Sequence, residues 1–457
     1  DQQQITVLDV FRQLGGGTNA HIAGVLRVVV VKRVLEPERI TDWQFPVFCE
    51  PLQGLRSLRG PATAACDDKR LAGLQQHLAQ GTQCPWVAPG LDWIESRIGF
   101  LTGGKIYPFV GALDLLRFSP VSLITRMRLG LAALWLRRQP DWKRYEGQRA
   151  KPWILRAVGQ QGYDKVWGPL LRAKFGPHAE DVSMVWFWGK VFLRFASRPG
   201  GLFAKEQLGY LKGSFGRLVD AMGAAVRQRG GTIEVRRGVE QVLTQDGRVT
   251  GVRLRTADGV TEDVAADVVI GTVPSEQFAR MVPDLDAAYA AKLREVQYQW
   301  ATVLVVALDR PLSPIYWLTV TDPDCPFVVA VEQTNFRSPS EYGGNHVVYF
   351  SNYTDPGDPI VDENEEQVLS RYEAFIKRIN PDFDRSWVRG TWLFKDRAGQ
   401  PIVHYRYHEV IPDLRTPTKG LYLANTTQIY PEDRGQNYAI RLGKRVAQLA
   451  MEDVAQR

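Results

Sequence analysis

The feature that most constrains the fold is an uninterrupted apolar run at residues 267–272, with the sequence DVVIGT. A run of this kind predicts a strand that is buried on both faces, as in a parallel sheet covered by helices. The residues before it predict a helix at 216–229 and a strand at 232–235. Two Asp-Gly turn signals then predict an antiparallel excursion over 239–265. The segment is typical of an α/β protein.

A second unit of the same kind closes the chain. Residues 420–425 (GLYLAN) predict another buried strand, residues 426–436 a polar loop, and residues 437–453 a helix with one apolar face. Between the two units, β-prone runs predict strands of one further sheet, followed by an amphipathic helix at 365–379. These runs lie at 301–308, 328–331 and 346–350.

Length and composition indicate a globular protein of two or three interleaved domains, with 457 residues of which 44% are hydrophobic. No apolar run is long enough to predict a transmembrane helix. The 4 cysteines show no CxxC pairing, which favours a reducing, cytoplasmic compartment over a disulfide framework. The 6 histidines form no HExxH pattern, so the sequence predicts no metal site.

Positive charge is concentrated at residues 117–174, where 13 Lys/Arg face 3 Asp/Glu. Such a block predicts a surface for an anionic partner. Long apolar stretches interrupt the block and no nucleic-acid motif is present, so we expect an anionic membrane face rather than nucleic acid. Residues 119–138 allow two interpretations, a buried helix with snorkelling arginines or a helix lying in a membrane interface.

Several segments, in the right order over residues 90–455, resemble the FAD-dependent oxidoreductases of the flavin amine oxidase, protoporphyrinogen oxidase and carotenoid desaturase type. The segments are 97–100 (RIGF), 104–109 (GKIYPF), 116–120 (LRFSP), 208–216 (LGYLKGSFG), 316–317 (YW), 331–336 (VEQTNF) and 421–446.

The resemblance implies FAD as cofactor and a Rossmann-like FAD-binding domain interleaved with a mixed-sheet plus helical substrate domain. The predicted parts are 1–95 (irregular FAD-binding part), 96–205 (helical, basic substrate part), 206–280 (FAD-binding), 281–410 (substrate sheet and helix) and 411–457 (C-terminal FAD-binding segment).

The C-terminal helix start is the strongest local prediction of a flavin contact. A helix N-terminus presents N–H groups and partial positive charge, which suits the negative charge on the pyrimidine side of reduced flavin. Gly435, Gln436 and Asn437 stand at that start. The alternative is an ordinary surface helix that Asn437 caps. Asn425 occupies a position where many relatives carry an acidic residue, and we predict a contact there as well.

Three further cofactor contacts follow from the resemblance. Val239 stands at the strand position where relatives touch the adenine side through their backbone, and Thr272 and Pro274 stand where the chain passes near the cofactor. Without the resemblance, each of these residues is explained by packing or turn chemistry.

The N-terminal region departs from the expected pattern. A dinucleotide site needs a strand, a Gly-rich turn and a helix in that order. Residues 5–9 with Leu14, Gly15 and Gly16 instead resemble the second strand of the unit, so that Asp9 would bind the ribose hydroxyls and the Gly15-Gly16 backbone would approach the pyrophosphate.

The other pieces of that unit are out of order. Residues 15–20 match GxGxxA without a preceding strand, and the strand-like run at 26–31 is followed by Lys32-Arg33 instead of glycines. Three explanations stay open: a rearranged domain that has lost FAD, a divergent site, or wrongly assigned residues in this stretch.

For function, we expect hydride removal from an apolar, membrane-associated substrate such as an isoprenoid, carotenoid or porphyrinogen, by a protein peripheral to the membrane. The apolar basic block and the cluster Trp186-Phe187-Trp188 favour this expectation. The alternatives are a soluble amine oxidase and a non-catalytic accessory subunit of a membrane complex. No catalytic residue is assigned from the sequence.

Overall fold

The computed structural model describes residues 2–5, 28–33, 91–109, 112–196, 207–235, 237–256, 258–322 and 324–456. Four of the predicted cofactor-binding residues lie outside these ranges; they are Asp9, Leu14, Gly15 and Gly16.

The strands of the described ranges are β1 (Gln2–Ile5), β2 (Val28–Arg33), β3 (Leu91–Glu95), β4 (Ile98–Thr102), β5 (Lys105–Pro108), β6 (Gln207–Leu211), β7 (Ile233–Val235), β8 (Arg237–Gln245), β9 (Arg248–Thr256), β10 (Thr261–Ala265), β11 (Val268–Gly271), β12 (Tyr298–Leu308), β13 (Trp317–Val320), β14 (Val329–Glu332), β15 (His346–Thr354), β16 (Val388–Pro401) and β17 (Leu421–Leu423). The α-helices of the same ranges are α1 (Ala112–Arg117), α2 (Leu123–Arg137), α3 (Ala150–Gly162), α4 (Gly168–Phe175), α5 (Met184–Ala196), α6 (Gly216–Gln228), α7 (Ser275–Met281), α8 (Ala287–Glu295), α9 (Glu365–Ile379), α10 (Tyr407–Val410) and α11 (Gln436–Ala455).

The first sheet joins the two ends of the chain. Within the described residues its order is β17-β11-β2-β1-β7, and β11 runs parallel to both β17 and β2. All four residues of β11 are buried, as the apolar run at 267–272 predicts. Buried parallel strands need apolar side chains on both faces, which explains the absence of alternation in this run.

Strand β1 corrects part of the N-terminal interpretation. It overlaps the predicted second strand, residues 5–9, only at Ile5, and it pairs antiparallel with both β2 and β7. The second strand of a βαβ unit runs parallel to the first, because a crossover joins the two strands. The strand-like run at 26–31 is confirmed as β2, shifted by two residues at each end.

The antiparallel excursion is confirmed as the sheet β10-β9-β8, with every pairing antiparallel. Glycines with positive φ stand at its two turns, at 70° for Gly247 and 80° for Gly259. This left-handed conformation costs glycine little, and it explains the two Asp-Gly signals.

The largest sheet of the described ranges has the order β16-β12-β15-β14-β13-β4-β5, and it contains the three predicted strands. Helix α9 covers one face, where Leu304, Val306 and Phe350 belong to its core. Asn364 begins this helix with a capping box to Gln367, so two backbone N–H groups at the helix start are satisfied. The predicted helix at 365–379 is therefore confirmed.

Helices α1 to α5 form a separate helical layer with its own aromatic-rich core. Phe175, Phe187 and Trp188 are buried in it, together with Leu129 and Leu136 of α2. Ser122 caps α2 by accepting a hydrogen bond from the Thr125 N–H at 3.3 Å. Within the described residues, no helix is long and apolar enough to cross a membrane.

Candidate cofactor and substrate site

The carboxyl ends of β11 and β17 lie side by side, because the two strands are parallel neighbours. The N–H of Ala424 donates to the carbonyl of Gly271 at 2.8 Å, so both chains leave the sheet together. In open α/β sheets, ligands bind in the crevice outside these strand ends. The structure therefore brings the predicted residues Thr272, Pro274 and Asn425 to one edge of the sheet.

Asn425 joins the two loops that follow these strands. Its amide nitrogen donates to the Val273 carbonyl at 2.9 Å and to Ser275 Oγ at 3.2 Å. Its amide oxygen accepts from the N–H of Thr427 at 2.9 Å. The side chain is buried and these bonds occupy it, so it holds the loops in place. A direct contact with the cofactor stays a prediction.

Tyr298, the first residue of β12, also holds this edge, and sequence reasoning missed it. Its hydroxyl accepts from the N–H of Ser275 at 3.0 Å and donates to Ser275 Oγ at 3.2 Å. Burial raises the pKa of Tyr298, so the hydroxyl stays protonated as a donor. A tyrosine at the start of a strand carries no sequence signal for such a contact.

Pro274 precedes α7, and Thr272 is partly buried directly after β11. Val239 lies elsewhere: its side chain is buried in β8, within the core that β8 and β9 share with α7 and α8. The predicted contacts of these three residues with the cofactor stay predictions.

The start of α11 fits an anionic group. No side chain caps the helix at Gly435 and its first turn holds no acidic residue, so the protein places no negative side chain in that turn. The first N–H groups of any helix have no acceptor within it, and they favour negative charge. A Cβ on Gly435 would lie 2.8 Å from Asn437 Oδ1 and 3.3 Å from the Tyr438 ring. Glycine therefore keeps this approach open.

Directly before this helix, Asp433 receives two buried lysines from the helical layer. Its Oδ2 lies 2.5 Å from Lys190 Nζ of α5 and 3.2 Å from Lys174 Nζ of α4. Burial lowers the pKa of Lys174 to about 7, although Asp433 acts in the opposite direction. Burial disfavours the charged form of Asp433, yet the nearby cations outweigh it and hold the pKa of this carboxyl well below its usual range.

Arg434 extends this group toward the large sheet. Its guanidinium donates to Tyr353 Oη at 3.1 Å, to Gln400 Oε1 at 3.0 Å and to the carbonyl of Gly399. We call Lys174, Lys190, Asp433 and Arg434 the cationic cluster. The sequence showed no signal for it, because its members come from α4, α5 and the loop before α11.

The face of the large sheet opposite α9 is aromatic. Trp392 and Tyr349 lie opposite Val305, and Phe394 lies opposite Val303, so these side chains share one face. Trp392 and Phe394 remain only partly buried. Tyr353 lies two register positions further along, opposite Ala301, and therefore belongs to the same face. This aromatic face thus ends at the cationic cluster.

Helices α1 and α2 expose an apolar surface on the outside of the helical layer. Ile124 is 72% exposed and Leu131 is 62% exposed. Basic residues surround these side chains. We call the set the apolar patch; its members are Leu113, Leu116, Leu123, Ile124, Met127, Leu131 and Trp135, with exposed Arg117, Arg137, Arg138, Lys143 and Arg144 around them.

The arginines in the middle of α2 do not reach out as the snorkelling interpretation expects. The guanidinium of Arg126 donates to the carbonyls of Val121 and Leu116 at 2.9 and 2.5 Å. Arg128 donates to the carbonyls of Ala157 and Arg156 at 3.1 and 2.8 Å. Both are used inside the helical layer, which leaves the outer side of α2 apolar.

The fold and the site define an α/β protein with a ligand crevice at the carboxyl ends of a parallel sheet, beside a mixed sheet and a helical layer. The family of flavin containing amine oxidoreductases matches residues 99–451. The chain therefore belongs to this family, and it is an FAD-dependent oxidoreductase.

Solved structures show the same fold. The chain is similar to a reduced UDP-galactopyranose mutase (13% identity, TM-score 0.60, covering 83% of this chain and 82% of that one). It is also similar to a putative protoporphyrinogen oxidase from Exiguobacterium sp. 255-15 (15%, 0.59, 83% and 86%) and to an oxidoreductase from Methanosarcina mazei (18%, 0.57, 79% and 82%). No curated protein matches.

Proposed function

We propose that this oxidoreductase removes hydride from an apolar substrate, of isoprenoid, carotenoid or porphyrinogen type, that it takes up at an anionic membrane surface. The carrying observation is the apolar patch. Monomeric soluble proteins rarely leave a contiguous apolar surface of this kind exposed, and a basic surround adds attraction to anionic lipid.

The aromatic face supports an apolar substrate in the crevice. FAD, when bound, supplies the acceptor for the hydride. The chain supplies position and environment: Asn425 and Tyr298 hold the loops at the strand ends, and the start of α11 favours negative charge beside Gly435. The partly buried Trp392 and Phe394 present apolar surface, which excludes water from the reacting region.

Vesicle binding tests the membrane part. We expect Leu131→Glu to lower sedimentation with anionic vesicles about tenfold, because it removes a large apolar side chain and adds a repelled charge. Val260→Glu is the matched control, since Val260 is equally exposed at 62% but lies in the β9–β10 turn. Equal binding of both variants, or none by the wild type, would contradict the proposal.

Anaerobic flavin reduction tests the substrate part. The wild type, mixed with lipid-dispersed isoprenoids, carotenoid precursors or a porphyrinogen, should lose its flavin absorbance with at least one of them. Bleaching by simple amines alone would favour the soluble amine oxidase instead. The unfolding free energy of Leu131→Glu should stay within about 0.5 kcal/mol of wild type, because Leu131 is a surface position.

A further inference from the structure

The cationic cluster lies where the aromatic face ends, and its composition is unusual for a structural ion pair. One carboxylate, Asp433, is shared by two lysines, while Arg434 stands next in the chain and bonds to Tyr353. Three cations that converge in a partly desolvated place form a ready site for an anion, because Coulomb attraction is stronger there than in water.

The cluster borders a space that solvent can enter. The side chains of Lys174 and Lys190 are 16% and 26% exposed, and that of Asp433 is 13% exposed. Burial is nevertheless sufficient to lower the pKa of Lys174 to about 7. Both facts together describe the wall of a deep crevice and not an outer surface.

An independent observation points to a missing acceptor. Trp186 of α5 is 9% exposed, and its indole N–H has no hydrogen-bond partner within the described part of the chain. Lys174 Nζ and Lys190 Nζ lie 4.9 and 5.5 Å from the centroid of its ring. A buried donor without an acceptor is costly, and beside cations it suits a ligand that brings negatively charged oxygen.

We propose that Lys174, Lys190 and Arg434 bind an anionic oxygen group, a phosphate or a carboxylate, at one end of the substrate, with the indole N–H of Trp186 as a further donor. The inference rests on the proposed function and deepens it. The substrate is then amphiphilic: its apolar body lies along Trp392 and Phe394, and its charged head lies at the cluster.

Calorimetric titration of the purified full-length protein with decyl phosphate, decanoate and decanol tests this site. The three probes share one apolar chain and differ in their head. We expect at least one anion to bind about tenfold or more tightly than decanol. The two anions distinguish phosphate from carboxylate as the head. Equal affinity for all three probes would overturn the proposal.

Variants assign the effect to the cluster. Lys174→Met/Lys190→Met/Asp433→Asn removes three charges together and leaves no carboxylate unpaired among them, so we expect it to fold and to lose the preference for anions. Lys377→Met is the control, since Lys377 pairs with Glu373 on α9. A preference that survives in the triple variant would refute the assignment. If that variant does not fold, Lys190→Met, which keeps the Lys174–Asp433 pair, should still lose at least about threefold.

Failure of the proposed function gives a different result. Protein that binds decyl phosphate tightly but neither associates with vesicles nor bleaches with apolar substrates would retain the anion site and lose the membrane substrate. Protein that bleaches with a neutral carotenoid precursor and shows no anion preference would do the reverse.

Discussion

The junction of β11 with β17 and the outer side of α2 follow opposite rules of burial. At the junction, Asn425 is a polar residue that is 7% exposed and fully occupied by hydrogen bonds. On α2, Leu131 is an apolar residue that is 62% exposed. A buried polar side chain is retained where it fixes a geometry, and an exposed apolar one where it meets a partner. The contrast separates the residues that build the cofactor site from those that could deliver the substrate.

The largest effect should come from breaking the polar junction. Asn425→Leu leaves the Val273 carbonyl and the Thr427 N–H without their partner in a buried place. We expect a loss of about 2–4 kcal/mol in unfolding free energy, measured by urea titration, and release of FAD. Gln448→Leu is the control, because its amide contacts only Glu452 along α11. A loss no larger than that of the control would mean that the network is not needed.

A smaller effect should separate cofactor binding from stability. Gly435→Ala places a Cβ 2.8 Å from Asn437 Oδ1, on the side where the start of α11 is open. The φ of Gly435 is −166°, which alanine also adopts, so the unfolding free energy should stay within about 1 kcal/mol. FAD affinity, measured by equilibrium dialysis, should fall about tenfold. Unchanged affinity would move the cofactor away from this helix.

The smallest effect concerns the cationic cluster. The pKa of Lys174 is about 7 in the folded protein and 10.5 without burial, so the folded state binds fewer protons between these values. Stability must then rise as the pH increases from about 7 toward 10.5. We expect the unfolding free energy of wild type to gain about 1 kcal/mol relative to Lys174→Met over this window, a little less than one pKa unit.

Asp433, Lys190, Arg434 and Tyr353 face Lys174, and they can distort that titration. Below the ordinary pKa of an aspartate, loss of the Asp433 charge removes the attraction to both lysines, so stability should fall with acid in wild type. Urea titrations of both proteins at several pH values decide the matter. A difference that is constant with pH would show that Lys174 keeps an ordinary pKa.

Much of the fold could be predicted from local pattern. The run at 267–272, the two Asp-Gly turns and the helix at 365–379 stand in the structure at or within a few residues of their predicted places. These features depend on burial of both strand faces, on positive φ and on helical periodicity, which are properties of neighbouring residues. The pairing of β1 depends on strands far away in the chain, and there the prediction was wrong.

The site divides along the same line. Gly435, Gln436 and Asn437 could be predicted at a helix start because a strand, a polar loop and an apolar periodicity precede and follow them. Tyr298 and Trp186 could not be predicted, since their partners are brought close by β12 and by the helical layer.

The sequence by itself determined the alternation of helices and strands, the two buried parallel strands and the concentration of basic charge at 117–174, because each is written in spacing and residue type. Only the tertiary structure decided that α2 turns apolar residues outward and that Lys174, Lys190 and Asp433 meet. The physical reason is that exposure and charge pairing depend on what packs around a residue, and for these residues that packing joins segments hundreds of positions apart.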